Sequence, residues 1–587
     1  MCGIAGVMAR PGIEVPERVL HDLAAAIAHR GPDGEGRYRN GPLAMVQRRL
    51  AIIDLLTGDQ PLHGPSGQVL IANGEIYNHV EWRRVLGDER FRTASDCEVP
   101  LLLHDKDGQD FARGLRGMYG IALYDLEKEQ LFLSRDPFGI KPLYIAETGL
   151  GLAFASEPQA LIAAGLVSPV VDEEKRLELL QCQFTTGRRT IFDGIERLLP
   201  GETVVVENGR VVERIRRDAL PELDQGDWDD EEALSRVDSA MIDSVTVHER
   251  SDVPYGLFLS GGVDSSAILA AMKRIDERAV RAFTVGFDVP EARDERAHAA
   301  AVARAAGADH VEVLFSRDDF WRLLPCVARA MDDPAADYAT LPTYRLAEIA
   351  SESLKVVLSG EGGDELFAGY GRYRRFSRPR LLGGGRLRRK GAFDSLGILK
   401  GPTAGWNCGL AAAGKVVSRR GRSRLQVAQA MDMADWLPND LLTKLDRCLM
   451  ANGMEGRVPF LDPHIADVAY RLADDQKIRD GKGKFMLRRW LDEALPEADA
   501  FSKKRGFTVP VGAWIADRGE SLGHRVATSP AIEGWTRPEN ITRLFVDAKD
   551  KRKGFAAWSL LFYALWYRVN IERVDPTIND IDDLLAA

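Results

Sequence analysis

The sequence has few cysteines, no long apolar run and no excess of positive charge. Its six cysteines among 587 residues lack CxxC spacing, which argues against a disulfide framework and favours a reducing cytoplasm. The longest apolar run, 555–567, is shorter than the roughly 20 residues of a membrane span and predicts a buried C-terminal helix. A formal net charge of −10 gives no sign of a nucleic-acid partner. These features favour a cytoplasmic enzyme that acts on small molecules and has neither a membrane span nor a nucleic-acid partner.

The residue pattern predicts two domains. Short β-type runs separated by turns fill residues 1–206, and the start of the chain shows no secretory signal. A polar, acidic stretch at 207–231 predicts a linker. From 232 to 587 apolar strands alternate with helical patterns, which is typical of a parallel α/β sheet.

Cys2 is the first residue along the chain whose groups could take part in catalysis. Once Met1 is removed, Cys2 carries both a thiol and a free α-amine, whose reference pKa values are about 8.5 and about 7.7 to 8.0. The amine can therefore serve as the base for the thiol. A cysteine at position 2 is weak evidence alone, but a series of downstream motifs accompanies it.

These motifs occur in a fixed order over residues 2–200. They are His29-Arg30-Gly31-Pro32-Asp33, Arg48-Arg49-Leu50-Ala51-Ile52-Ile53-Asp54, Asn73-Gly74-Glu75-Ile76-Tyr77-Asn78, Ser95-Asp96 and Arg135-Asp136-Pro137-Phe138-Gly139. The set resembles the class II glutamine amidotransferase domain, which implies the four-layered αββα sandwich of the N-terminal-nucleophile fold. Asn73-Gly74 alone would be an ordinary turn and Arg49 an ordinary surface charge, whereas the ordered set favours function.

The resemblance implies a glutaminase with assigned roles. Cys2 would attack the side-chain amide of glutamine, and the Asn73 side chain with the Gly74 backbone N–H would bind the oxyanion. Arg49 would hold the α-carboxylate of glutamine, together with Asn73 and Gly74 in the binding site. Glu75 and Asp96 would accept hydrogen bonds from its α-ammonium group.

A second group of motifs begins after a predicted strand at 256–259. The run Ser260-Gly261-Gly262-Val263-Asp264-Ser265-Ser266 opens a helix, where backbone amides and the helix dipole favour phosphate. It lacks the GK[ST] ending of a Walker A loop. The run resembles the pyrophosphate loop of ATP pyrophosphatases, with Asp264 as a candidate Mg²⁺ ligand.

Three further motifs resemble the asparagine synthetase domain over about 232–570. They are Ser359-Gly360-Glu361-Gly362-Gly363-Asp364-Glu365, Glu455-Gly456-Arg457-Val458-Pro459-Phe460-Leu461-Asp462 and Lys503-Lys504-Arg505-Gly506-Phe507. The resemblance implies that Asp364 joins Asp264 at Mg²⁺, that Glu361 is the base for ammonia and that Lys504 stabilises the transition state. A lone lysine is usually solvated, so Lys504 has the weakest independent case. The residues implied in ATP binding are Leu259, Ser260, Gly261, Gly262, Asp264, Ser265, Ser266, Val285, Ser359, Gly360 and Arg447.

The two halves together predict glutamine-dependent amidation of a carboxylate through an acyl-adenylate. Aspartate is the default acceptor, giving asparagine, glutamate, AMP and diphosphate. Ala335 and Tyr338 stand where established asparagine makers often carry Thr and Arg, so a sugar, peptide or secondary-metabolite carboxylate is the alternative. The basic segment 372–390 is either a solvated face or a contact for a larger anionic acceptor.

Two properties stay open at this stage. A non-catalytic relative that kept the fold as a binding module, or a ligase independent of ammonia, is disfavoured because the catalytic motifs are intact. The sequence does not define the oligomeric state, and a homodimer is one option.

Overall fold

The computed structural model describes most of the chain. The described residues are 2–586 except 223–224, 277, 288–295, 380, 382–383, 386, 389, 402, 503–508 and 578–579. Lys504 therefore lies outside the described residues, as do parts of the basic segment 372–390.

Two antiparallel sheets of six strands each form the N-terminal half. The first has the order β10-β8-β9-β1-β3-β2 and the second the order β12-β11-β7-β6-β5-β4. Their strands are β1 (Cys2–Ala9), β2 (Gly34–Asn40), β3 (Leu43–Arg49), β4 (Leu62–His63), β5 (Gln68–Ile76), β6 (Gly117–Asp125), β7 (Gln130–Arg135), β8 (Tyr144–Glu147), β9 (Gly151–Ala155), β10 (Glu196–Arg197), β11 (Glu202–Glu207) and β12 (Arg210–Arg216).

Side-chain alternation along β1 explains how the sheets stack. Ile4 and Met8 enter the hydrophobic cluster shared with the second sheet, while Ala5 and Val7 pack on the opposite face with helix α1. Helix α3 covers the outer face of the second sheet. The helices of this half are α1 (Glu17–Ala26), α2 (His79–Leu86), α3 (Val99–Asp107), α4 (Pro158–Ala163) and α5 (Glu173–Cys182). This arrangement confirms the predicted αββα sandwich.

The second sheet continues beyond residue 206, where the sequence predicted a linker. Strand β12 pairs with β11 through a hairpin whose turn holds Asn208 and Gly209, both with positive φ. Asn-Gly is a hairpin turn signal, and the predicted linker 207–231 therefore contains the last strand of the sheet. The acidic part of the stretch lies after that strand.

A parallel sheet organises the C-terminal half, as predicted. Its order is β15-β14-β13-β16-β17, and all neighbouring strands in this order pair in parallel. The strands of this half are β13 (Tyr255–Phe258), β14 (Arg281–Phe287), β15 (Asp309–Phe315), β16 (Val356–Leu358) and β17 (Glu455–Arg457), with the small hairpin β18 (Ile478–Arg479) and β19 (Lys482–Gly483).

Helices surround this sheet and fill the rest of the half. They are α6 (Asp230–His248), α7 (Val263–Ile275), α8 (Arg296–Ala306), α9 (Arg317–Ala330), α10 (Thr340–Ala350), α11 (Gly363–Leu366), α12 (Gly371–Phe376), α13 (Cys408–Val417), α14 (Arg424–Met431), α15 (Leu442–Met450), α16 (Pro463–Arg471), α17 (Asp474–Lys477), α18 (Phe485–Ala494), α19 (Val511–Asp517), α20 (Gly519–Thr528), α21 (Pro538–Val546), α22 (Lys551–Asn570) and α23 (Ile581–Leu585). Helix α22 contains the predicted C-terminal helix, with Trp558 and Trp566 fully buried.

Strand order places the two nucleotide motifs side by side. Strand β13 lies between β14 and β16, and Leu257 is level with Leu358 in the parallel register. The loops that follow β13 and β16 begin at Leu259 and Ser359, so both leave the same edge of the sheet.

The two halves pack on each other through a continuous core. One hydrophobic cluster includes Val7 of β1, Leu257 of β13 and Trp566 of α22, and the rings of Phe192 and Trp566 lie 5.5 Å apart across the contact. Within the described part of the chain, no helix is both long enough and apolar enough to span a bilayer.

Candidate functional site

Cys2 is the first residue of β1, an inner strand of the first sheet. It is 7% exposed, and its backbone nitrogen donates to Asn73 Oδ1 at 3.1 Å. Burial raises the pKa of the Cys2 thiol. A buried thiol that stays protonated near neutrality needs a base to become a nucleophile, which agrees with the predicted use of its own amine.

Asn73 and Gly74 lie on β5, beside Cys2. Asn73 is fully buried, and its Nδ2 has no hydrogen-bond partner in the described residues. A Cβ at Gly74 would come within 2.2 Å of the Met118 carbonyl oxygen, so only glycine fits this close backbone approach. A buried N–H donor without a partner is the group that an oxyanion would use.

The three other residues predicted to bind glutamine, besides Asn73 and Gly74, are Arg49, Glu75 and Asp96. Arg49 is opposite Cys2 in the register of β1 and β3, and its guanidinium donates to Asp59 and to the Asp54 carbonyl. Asp96 accepts a hydrogen bond from the Ile76 backbone at 2.6 Å. The structure thus brings Cys2, Asn73, Gly74, Arg49, Glu75 and Asp96 into one buried region.

Two of these side chains are buried carboxyls. Glu75 is 4% exposed and Asp96 is 3% exposed. Burial raises the pKa of both groups, and for Glu75 the nearby carboxylates Glu455 and Asp96 raise it further. An arriving ammonium group would stabilise their charged forms.

The second site is a pocket of about 300 Å³ at the edge of the parallel sheet. It brings together most of the residues predicted for ATP and for the second half-reaction. The predicted residues that line it are Leu259, Ser260, Asp264, Ser265, Val285, Ser359, Gly360, Glu361 and Asp364. Gly261 and Gly262 belong to the loop that leads into α7, and Ser266 is buried in the first turn of that helix.

Local backbone geometry explains the glycines of this pocket. Gly261 has a φ of +71° and Gly362 a φ of +92°, which L side chains rarely adopt. Elsewhere a Cβ on Gly363 would lie 2.4 Å from Asp264 Oδ1. The Gly-Gly pairs therefore let the backbone turn while it stays close to the carboxylates.

Asp264 and Asp364 face the same cation. Lys484 Nζ lies 2.6 Å from Asp364 Oδ1 and also contacts Asp264. Although burial opposes its charge, the two carboxylates raise the pKa of Lys484. Two carboxylates that share one ammonium are close enough to share a divalent cation, and carboxylate oxygens are ligands that Mg²⁺ prefers. The residues present fit the predicted metal site.

Sequence reasoning missed Lys484. This residue precedes helix α18 and has a left-handed φ of +59°. Its contact with Asp264 joins positions 220 residues apart. Nothing in its local sequence distinguishes it from the neighbouring lysine Lys482, which contacts the Phe501 carbonyl instead.

Arg447, which the sequence predicted to bind ATP, is not among the residues that line this pocket. It is 2% exposed and donates to Asp332 at 2.7 Å and to Asp446 at 2.8 Å. Carboxylates of the contact between the two halves thus hold its charge. Lys484, in contrast, contacts Asp264 of the loop that follows β13.

The stretch around Ala335 leads into helix α10, which contributes residues to the pocket. Ala335 is fully buried, and the Ala336 carbonyl accepts a hydrogen bond from the Trp558 ring nitrogen at 2.7 Å. Ala339 and Thr343 line the pocket. Ala335 and Tyr338 themselves are not among the residues that line the pocket.

The start of the basic segment 372–390 borders a second cavity beside the pocket. Arg372 stacks on Trp436 at 3.8 Å and pairs with Asp432 at 2.7 Å, so it is a structural residue. Arg374, Arg375 and Arg378 line the cavity of about 590 Å³. Tyr370 lines both this cavity and the pocket that contains Glu361.

Two buried arginines connect the sites across the halves of the molecule. Arg30 of the first half donates to the Cys2 carbonyl at 3.2 Å and to Asp446 of the second half at 2.9 and 3.0 Å. Arg457 of the second half pairs with Glu455 at 2.6 Å and lies 3.3 Å from Glu75 of the first half. Sequence analysis assigned no role to either arginine.

Comparison with known proteins agrees with both halves. The family model described as glutamine amidotransferase domain matches residues 1–215, and the model described as asparagine synthase matches residues 236–568. Asparagine synthetase (glutamine-hydrolysing) 1 of Bacillus subtilis strain 168 is 30% identical over 98% of this chain and 97% of its own.

Two further relatives show the range of names. Asparagine synthetase B (glutamine-hydrolysing) of Escherichia coli K12 is 31% identical over 90% of this chain and 86% of its own. Amidase chyE of Penicillium rubens is 31% identical over 64% of this chain and 60% of its own. On the strength of the two family models and the full-length relatives, the chain belongs to the glutamine-hydrolysing asparagine synthetase family.

Proposed function

We propose that this ligase transfers ammonia from glutamine to a carboxylate that ATP has activated, with L-aspartate as the acceptor. The balanced reaction is L-aspartate, L-glutamine, ATP and water giving L-asparagine, L-glutamate, AMP and diphosphate. The observation that carries the proposal is the pairing of two preformed sites in one chain. Cys2 lies beside Asn73 in the first site, and Glu361 lies with Asp264 and Asp364 in the second.

In the first site, Cys2 attacks the glutamine amide and releases ammonia as a thioester forms. The unpartnered Asn73 Nδ2 and the Gly74 N–H donate to the oxyanion. Arg49 binds the α-carboxylate of glutamine, while Glu75 and Asp96 accept from its ammonium group. Water then cleaves the thioester to give glutamate.

In the second site, the Ser260 loop binds the phosphates of ATP. The acceptor carboxylate attacks the α-phosphorus, the bond to the β-phosphate oxygen breaks, and diphosphate leaves as the acyl-adenylate forms. Asp264 and Asp364 would hold Mg²⁺, which neutralises phosphate charge when bound. Lys484 adds a positive charge beside the same phosphates. Glu361 takes a proton from ammonia as nitrogen attacks the acyl-adenylate, and AMP leaves. Lys504 is proposed to stabilise the charged transition state.

The Asn73 role makes a specific prediction. Asn73→Ala should lower the glutaminase kcat by about 10²- to 10³-fold, the usual effect of losing one oxyanion donor. Synthesis from added ammonium should stay within about twofold of the unaltered protein, because the second site is untouched. Steady-state release of glutamate measures the effect, and an unchanged kcat would contradict the role.

A screen of carboxylates tests the acceptor. With ATP and ammonium present, aspartate should give the fastest release of diphosphate and a stoichiometric amide product. The matched panel consists of glutamate, a carboxylated sugar and a short peptide that carries a free side-chain carboxylate. A peptide or sugar that exceeds aspartate in kcat/KM would replace aspartate as the acceptor.

A larger anionic acceptor is the second candidate, and two observations favour it. Ala335 is buried where a polar acceptor contact is often found. Tyr370 lines both the pocket and a cavity that Arg374, Arg375 and Arg378 also line. An acceptor with a second anionic group could reach these arginines, and the name of the amidase relative is compatible with such chemistry.

A further inference from the structure

Arg457 is fixed in the core between the two sites. It is fully buried at the end of β17. Its Nε donates to Glu455 at 2.6 Å, and its Nη1 donates to the carbonyls of His248 at 2.8 Å and Arg250 at 2.6 Å. These bonds tie the guanidinium to the backbone of the second half.

The remaining nitrogen of Arg457 faces the glutamine site. Nη2 lies 3.3 Å from Glu75 Oε2, and neither atom makes a hydrogen bond in the described structure. Burial and the neighbouring carboxylates raise the pKa of Glu75. An ammonium group bound at Glu75 would favour its charged form, and that form attracts the guanidinium more strongly.

The backbone of Arg457 contacts the second site. Its carbonyl accepts a hydrogen bond from the Ser359 N–H at 2.8 Å, and Arg457 is level with Leu358 in the pairing of β16 with β17. Ser359 begins the loop that carries Glu361, and its hydroxyl donates to the Glu361 carboxylate. One residue therefore contacts the ammonium-binding carboxyl of the first site and the base-bearing loop of the second.

We propose that Arg457 is a positioning residue that couples glutamine binding at Glu75 to the Glu361 loop. The inference rests on the proposed function, which places glutamine at Glu75 and ATP beside Glu361. Glutamine bound in the first site draws the Arg457 guanidinium toward Glu75. The backbone of β17 transmits this displacement to Ser359. Because binding linkage is reciprocal, the factor by which glutamine changes the Kd of ATP must equal the factor by which ATP changes the Kd of glutamine.

The test measures this factor in the full-length Cys2→Ala protein, where glutamine binds without being hydrolysed. Titration calorimetry gives the Kd of ATP with and without saturating glutamine, and the Kd of glutamine with and without ATP. We expect the same factor, about fivefold or more, in both directions. Adding Arg457→Lys, which keeps the charge but loses the forked geometry, should bring the factor close to one.

Two further variants separate coupling from general damage. Arg116→Met removes another ion pair between the halves, that of Arg116 with Asp462 at 2.8 Å, and should leave the factor unchanged. Glu75→Gln leaves the bonds of Arg457 to His248 and Arg250 in place but weakens glutamine binding, because Glu75 belongs to the glutamine site. At glutamine concentrations that saturate this variant, the factor should also fall while the Kd of ATP alone stays the same. This variant serves if Arg457→Lys does not fold.

The outcomes distinguish the two proposals. A factor of one in the Cys2→Ala protein, with both ligands bound, overturns the coupling and leaves the proposed function standing. An equal loss in Arg116→Met also overturns it, since any disturbed contact would then suffice. Absence of binding by either ligand overturns the coupling and the proposed function together.

Discussion

Replacing Cys2 with alanine is expected to lower glutamine-dependent amide synthesis by about 10³-fold or more while ammonium-dependent synthesis continues. Loss of a covalent nucleophile removes the thioester route altogether, and effects of this size or larger are usual for such residues. The second site is unaffected because Cys2 contributes only its backbone carbonyl to the contact with Arg30. Parallel assays with glutamine and with ammonium chloride measure both activities.

A control for this result is available in the same half of the molecule. Cys182 is fully buried at the end of α5, and Cys182→Ala removes a thiol without touching β1. It should retain glutamine-dependent synthesis within about twofold. Loss of both activities in a folded Cys2→Ala protein would refute the division of labour between the sites.

Replacing Glu361 with alanine is expected to impair the second site and to spare the first. Amide formation should fall by about 10²- to 10⁴-fold from glutamine and from ammonium alike, because a general base contributes this much. Glutamine hydrolysis should survive. Adenylation precedes the step that Glu361 serves, so exchange of labelled diphosphate into ATP should persist in the presence of the acceptor. Amide yield, glutamate release and diphosphate exchange are measured on the same preparation.

Glu312 provides the matched control for this substitution. It is an exposed glutamate on β15 of the same parallel sheet. Glu312→Ala should leave all three readouts within about twofold. Amide synthesis that continues unaltered in Glu361→Ala would remove Glu361 from the mechanism, and loss of diphosphate exchange would move its role to adenylation.

The sequence predicted those parts of the site that local chain order determines. The Ser260 and Ser359 loops each follow a recognisable strand, and parallel strands place their carboxyl ends at one edge. Cys2 and Asn73 were predicted from motif order, and the pairing of β1 with the sandwich core brings them together. The αββα fold was implied by the resemblance to the class II glutamine amidotransferase domain and not by residue periodicity, since every residue of β1 is buried.

The remaining features depend on contacts between distant segments. Lys484 reaches Asp264 only because α18 packs near α7, and Arg457 reaches Glu75 only because the two halves are in contact. Arg447 has the same chemistry as a phosphate-binding arginine, but its environment of Asp332 and Asp446 appears only in the folded chain. Strand β12 was missed because an acidic composition outweighed a short hairpin signal.

Arg30 and Arg457 also constrain how this enzyme can evolve. Arg30 belongs to the first half and binds a carboxylate of the second, whereas Arg457 belongs to the second half and faces a carboxylate of the first. Recombination that replaced one half with a diverged relative would leave a buried charge unmatched, at a cost of about 3 to 5 kcal/mol. New acceptors should therefore arise by substitution in the segments 334–342 and 370–378, while the two halves are inherited as one unit.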